Sequence, residues 1–118
     1  GATLRVVNDQ IGTPTYAADL ANMIVRIITA RQWLAGIYHF SNEGVASWYD
    51  FAQAIAELSG VEDVTVLPVS SDDYVTAAAR PLFSVLDKSK IKASYGVQIP
   101  YWRSSLKLCI DRLNCAKA

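Results

Sequence analysis

Arg80 and Ser84 are the first residues whose types and spacing suggest chemistry. Pro81 keeps Arg80 out of helical backbone, so a guanidinium stands on stiff, extended chain four residues before a hydroxyl. That arrangement suits a bidentate grip on a diphosphate, and a surface arginine beside a turn proline has the same pattern. Residues 9–15, Asp-Gln-Ile-Gly-Thr-Pro-Thr, form a polar loop feeding a helix start. The free N–H groups and positive dipole of such an end favour a phosphate or carboxylate, with Gln10 and Thr13 as the contacts. A tight turn with a helix cap is the plainer reading. Ser47-Trp48-Tyr49 opens another helix with an indole and a phenol. Trp48 there either packs into the core or stacks on a sugar or base.

Other chemistries lack their residues. There is no G-x-G-x-x-G and no P-loop to cradle a pyrophosphate. None of the six tyrosines has a lysine four residues later, so the Tyr-x-x-x-Lys acid is missing. G-x-S-x-G, H-E-x-x-H and Cys-x-x-Cys are absent as well. No catalytic residue, cofactor-binding residue or metal ligand is assigned. His39, the one histidine, falls in a run that reads as a buried strand and has no dyad partner nearby in sequence. It reads as a core or strand-end residue. Cys109 and Cys115 lie roughly 240° apart on a helical wheel, which bars a shared metal on one face, and they read as reduced structural thiols.

The 118 residues carry 11 Lys plus Arg against 11 Asp plus Glu, with 52% hydrophobic residues. That composition excludes intrinsic disorder and gives no basic footprint for nucleic acid. No apolar run is long enough to span a bilayer, and the first residues lack a signal-peptide pattern, so a cytoplasmic location is expected. The length fits one domain, 1–118, and is short for an enzyme carrying its own dinucleotide fold.

The elements that must position the candidate residues follow an α/β pattern. Residues 4–7 read as a strand end running into an 8–14 loop. Leu20, Met23, Ile24, Ile27, Ile28 and Leu34 recur at helical spacing across 16–34, with Thr13 or Thr15 as the cap. Residues 37–41 read as a buried strand. Ser47 and Asp50 open a helix in a capping box, with Trp48, Phe51, Ala52, Ile55 and Leu58 on its buried face and Gly60 past its end. Residues 64–67 read as a strand stopped by Pro68, and 70–79 as a short helical turn or a loop. Asp87 caps a helix over 88–95 that Gly96 closes. After Pro100 a last helix presents Trp102, Leu106, Cys109, Ile110 and Leu113 on one stripe. One compact unit without repeats or linkers is expected.

Several stretches, in order, carry a resemblance: Val7-Asn8-Asp9-Gln10-Ile11-Gly12-Thr13-Pro14-Thr15 with Asp19-Leu20-Ala21, then residues 36–42, 48–52 and 80–87, then Pro100-Tyr101-Trp102. Together they resemble the dTDP-4-dehydrorhamnose reductase family, specifically its C-terminal part. The D-Q-x-G-x-P-T and R-P-x-x-S-x-L motifs are its most specific elements. Phe83 departs from the pattern, since the family more often has Asn there.

The resemblance implies an extended short-chain dehydrogenase/reductase. In that family an N-terminal Rossmann domain holds NADPH or NADH and the catalytic Ser/Thr, Tyr and Lys, while the C-terminal part supplies the sugar-nucleotide side of the cleft. The reaction is hydride delivery to the 4-keto group of dTDP-4-dehydrorhamnose, giving dTDP-rhamnose for cell-surface polysaccharide. With the Rossmann half missing, this chain looks like the substrate-binding part alone. That implies an α/β unit of short strands and four or so helices, with no cofactor of its own and no hydride transfer. Its implied partners are a dTDP-sugar, the missing Rossmann domain and, in a homodimer, a second copy; nucleic acid and membrane are not among them. The first helix and the His39 strand would pack against the Rossmann half, so an apolar face should stand exposed here. A non-catalytic relative, such as the regulatory beta subunit of methionine adenosyltransferase, is one alternative. Another nucleotide-sugar epimerase or reductase is the second.

Overall fold

The computed structural model describes residues 1–73 and 76–116. Along the chain run β1 (Ala2–Val7), β2 (Ile11–Gly12), α1 (Ala17–Ile28), β3 (Ala46–Ser47), α2 (Trp48–Ser59), β4 (Val64–Val69), a 3-10 turn (Ser71–Asp73), α3 (Ser89–Tyr95) and α4 (Trp102–Ala116). β1 and β4 pair in parallel, from Ala2 opposite Val64 to Val7 opposite Val69, and α2 packs on both strands. Four helices and a few short strands make the α/β unit that the sequence suggests.

Pro68 does not stop β4. The strand's odd-numbered residues face β1, because Ala2 donates to the Asp63 carbonyl and Asn8 to the Val69 carbonyl. Pro68 falls in the opposite phase, toward the open edge, where no N–H is required. The capping box on α2 forms as the sequence indicates. Ser47 Oγ accepts from the Asp50 N–H at 2.9 Å, and the Asp50 carboxylate accepts from the Ser47 N–H at 3.1 Å. Gly60 and Gly96 end α2 and α3 at φ 69° and 60°, the left-handed region that glycine enters freely. Asp87 accepts the Ser89 N–H at 2.9 Å ahead of α3.

The first helix departs from its pattern. α1 ends at Ile28, well before Leu34, with Thr29 as its C-cap: the Thr29 N–H makes the last helical bond to the Val25 carbonyl at 3.0 Å, and its hydroxyl donates to the same oxygen at 2.8 Å. Leu34 is instead held by two phenols: its N–H donates to Tyr95 at 3.3 Å, and its carbonyl accepts from Tyr38 at 2.7 Å. Neither Thr13 nor Thr15 caps α1. The Asn42 side-chain oxygen does so from afar, accepting the Tyr16 N–H at 2.7 Å.

Residues 37–41 form no strand, Ile37 is 79% exposed and His39 is exposed. A strand must satisfy its backbone groups on a neighbour, and among the described residues none lies alongside. The α2 face is also shallower than its pattern implies: Ala54 is its buried residue, and Trp48 and Ile55 are exposed.

The core is divided. Met23, Ile91 and Val97 form one cluster; Ala46, Ala54 and Trp102 form another. The radius of gyration is 16.9 Å and the extents are 52 × 40 × 21 Å, whereas a compact chain of this length would have a radius of about 13–14 Å. The unit is a slab, not the compact body expected.

A buried polar knot fastens the helices. Asn42, with no exposed surface, donates through Nδ2 to Asp19 Oδ2 (2.7 Å), the Pro100 carbonyl (3.2 Å) and Ser105 Oγ (3.3 Å). Ser105 also donates to Asp19. Buried Lys88 donates to the Asn42 carbonyl at 2.8 Å and to Ser41 Oγ at 3.3 Å. Glu43 pairs with Lys88 at 3.4 Å and with Lys92.

The hydrogen bond from Lys92, helped by the charge of Lys88, holds the Glu43 carboxyl below its ordinary 4.5. A native value below the unfolded one means stabilisation that is complete above about pH 4.5 and lost as pH falls through the lowered native value. Glu43→Gln is therefore expected to cost stability at neutral pH and progressively less in acid. Urea midpoints across that range test it, and a cost that does not shrink with acid would overturn it.

Candidate functional site

Three short segments meet around β2. Its far neighbour is β3, antiparallel, with Ile11 opposite Ser47 and Gly12 opposite Ala46. On its other side residues 82–84 run parallel: Ile11 donates to the Leu82 carbonyl and Ser84 donates to the Ile11 carbonyl, both at 2.8 Å. This miniature sheet brings together side chains from three distant stretches of sequence. A cavity of about 250 Å³ opens beside it, lined by Gln10, Pro14, Trp48, Arg80 and Ser84 among others.

Four of the five residues singled out in the sequence thus share one cavity: Gln10, Trp48, Arg80 and Ser84. Thr13 is not among the lining residues; its hydroxyl donates to the Gly44 carbonyl at 2.6 Å. That bond ties the 9–15 loop to the segment carrying Asn42 and Glu43. Gly44 sits at φ 88°, and a Cβ there would collide with the Tyr101 ring, so glycine is required where the two segments meet.

Each lining side chain is presented differently. Trp48 is 53% exposed, braced edge-on by Phe51 at 6.3 Å between ring centroids, which leaves indole surface open for stacking. Arg80 has no carboxylate partner among the described residues, so its charge is available to an anion. Gln10 donates from Nε2 to Ser71 Oγ at 3.2 Å.

The supporting residues Asp9, Asn42 and Lys88 were not found from the sequence. Asn42 and Lys88 act across long sequence separations, and each looks like an ordinary loop or cap residue locally. The D-Q pairing at 9–10 was the one available signal for Asp9. Among the described residues no group of His, Cys, Asp and Glu could hold a metal ion, and no helix is long and apolar enough to cross a membrane.

Residues 1–115 match a family model described as the RmlD substrate binding domain. The chain belongs to that family. It is 43% identical over 104 residues to the spore coat polysaccharide biosynthesis protein SpsK of Bacillus subtilis, a match covering 88% of this chain and 35% of that protein. It is 41% identical over 113 residues to a dTDP-4-dehydrorhamnose reductase of Aggregatibacter actinomycetemcomitans, covering 88% of this chain and 38% of the relative. The crystal structure of the Bacillus anthracis dTDP-4-dehydrorhamnose reductase in complex with NADP superposes with a TM-score of 0.83 at 39% identity, over 91% of this chain and 37% of that one. The chain therefore spans little more than a third of each of these relatives. The family membership agrees with the resemblance carried by the D-Q-x-G-x-P-T and R-P-x-x-S-x-L motifs.

Proposed function

We propose that this chain is the sugar-nucleotide-binding part of an oxidoreductase that reduces the 4-keto group of dTDP-4-dehydrorhamnose to give dTDP-rhamnose in the cytoplasm. The observation that carries the reading is the convergence of Gln10, Trp48, Arg80 and Ser84 on one cavity. Arg80 and the Ser84 hydroxyl take the diphosphate, Trp48 stacks on a flat or sugar surface, and Gln10 contacts the sugar nucleotide. Thr13 acts through the loop it fastens to Gly44. NADPH or NADH is held by an N-terminal Rossmann half. This chain has no glycine-rich strand–helix turn for a dinucleotide, so none of its residues is assigned to the cofactor or to the hydride step.

The test is titration of dTDP against the full-length reductase carrying this chain. A charged diphosphate contact is worth about 1.5–3 kcal/mol, so Arg80→Ala is expected to weaken dTDP roughly ten- to hundredfold. Unchanged affinity would remove Arg80, and with it the cavity, from the binding role.

A further inference from the structure

Asp9 lies outside the cavity, yet it is bonded to the residue that holds Gln10. Ser71 donates its backbone N–H to both Asp9 carboxylate oxygens, at 3.1 and 3.0 Å, and its hydroxyl to Oδ1 at 2.6 Å. These bonds, the hydroxyl foremost, hold the Asp9 carboxyl below its ordinary 3.8, so at neutral pH it is an acceptor only. The order of protons follows. The Ser71 hydroxyl must give its hydrogen to Asp9, and its oxygen can then only accept from Gln10. Gln10 must accordingly turn its NH₂ toward Ser71, which is the arrangement found. Its carbonyl oxygen has no protein donor among the described residues.

We propose that Asp9, acting through Ser71, fixes the orientation of the Gln10 amide and leaves its carbonyl oxygen free to accept a hydroxyl or N–H of the sugar nucleotide. Asp9 and Ser71 are positioning residues in this scheme, and Gln10 is the contact. A phosphate oxygen offers no hydrogen to an amide carbonyl and would be repelled by it. The cavity thus divides its work: the anion goes to Arg80 and a donor group goes to Gln10. This inference rests on the assignment of the cavity to a sugar nucleotide.

The experiment compares the affinities of dTDP and dTDP-glucose for the full-length protein, using Gln10→Ala, Asp9→Asn, Ser71→Ala and the Asp9→Asn/Gln10→Ala pair. Asn at position 9 can donate to the Ser71 oxygen, which reverses the relay and turns the Gln10 NH₂ toward the ligand. Losing one neutral hydrogen bond corresponds to roughly two- to tenfold in affinity. Each single variant is expected to lose that much, and the double variant no more than Gln10→Ala alone. Ser71→Ala leaves the backbone bond to Asp9 in place, so it reports on the relay even if Asp9→Asn folds poorly.

A loss seen with both ligands puts the donor on the base or ribose; a loss confined to dTDP-glucose puts it on the hexose. Additive losses, or an Asp9→Asn variant that binds like the wild type while Gln10→Ala does not, would overturn the relay. An Arg80→Ala variant that also binds normally would instead overturn the cavity assignment, and the relay with it.

Discussion

Asn42→Ala is expected to destabilise the chain by about 3 kcal/mol or more, measured as the shift in urea unfolding followed by circular dichroism. The side chain has no exposed surface and serves as acceptor for the Tyr16 N–H and donor to Asp19, Pro100 and Ser105. Truncation removes these bonds and strands several partners away from water, each at about 1–3 kcal/mol. Set against a usual domain stability of about 5–15 kcal/mol, that loss is large. Asn42→Asp should be no rescue, because it places a second carboxylate against Asp19. A cost below about 1 kcal/mol for Asn42→Ala would mean that water fills the space and the knot is not what joins the helices.

This chain on its own is expected to self-associate, and to stop doing so when α1 is made polar. Leu20, Ile24, Val25 and Ile28 stand 41%, 48%, 58% and 72% exposed on α1, with Trp33 at 72% and Ile37 at 79% just beyond. Soluble proteins rarely leave so continuous an apolar face uncovered. We propose the Rossmann half as the occupant, in keeping with a chain that spans about a third of its relatives. Sedimentation should show oligomers for the wild type, monomers for Ile24→Glu/Ile28→Glu, and a one-to-one complex when the Rossmann half is added. A wild-type chain that stays monomeric at high concentration and does not bind a hydrophobic dye would contradict this.

What the sequence revealed and what it hid divide along a physical line. Features decided within a few residues were legible. The Ser47–Asp50 capping box and the left-handed glycines at 60 and 96 each depend on local geometry. The candidate cavity was legible because its motifs are short and chemically distinct. The misread elements all depend on partners. Residues 37–41 have the apolar composition of a strand but, among the described residues, no neighbour to pair with. The α1 stripe has the spacing of a core face, but among the described residues it is covered only along Met23 and Ile27, and Leu20, Ile24 and Ile28 stand open. Thr13 and Thr15 look like caps, yet Asn42 supplies the cap from 26 residues away. Pro68 looks like a strand breaker, and only its phase relative to β1 shows why it is tolerated. Asp9 and Lys88 could not be separated from ordinary loop residues until the fold brought Ser71 and Glu43 beside them.

The miniature sheet beneath the cavity has a consequence for how the site behaves in time. β2 is two residues long, β3 is two residues long, and the third segment joins by two backbone bonds. Ala46 anchors β3 in the Ala54–Trp102 cluster, but the 82–84 segment is held by those two bonds and can open without disturbing either cluster, which places that edge of the platform at the low-stability end of the molecule. Its three segments come from residues 11–12, 46–47 and 82–84, and a ligand touching Gln10, Trp48 and Arg80 would bridge all three. Occupancy would then do work that the backbone does only weakly: it would convert an edge that opens and recloses independently into one that opens only when the ligand leaves. Part of the binding energy is consumed in that ordering, and the reward is a cleft whose rigidity reports whether substrate is present.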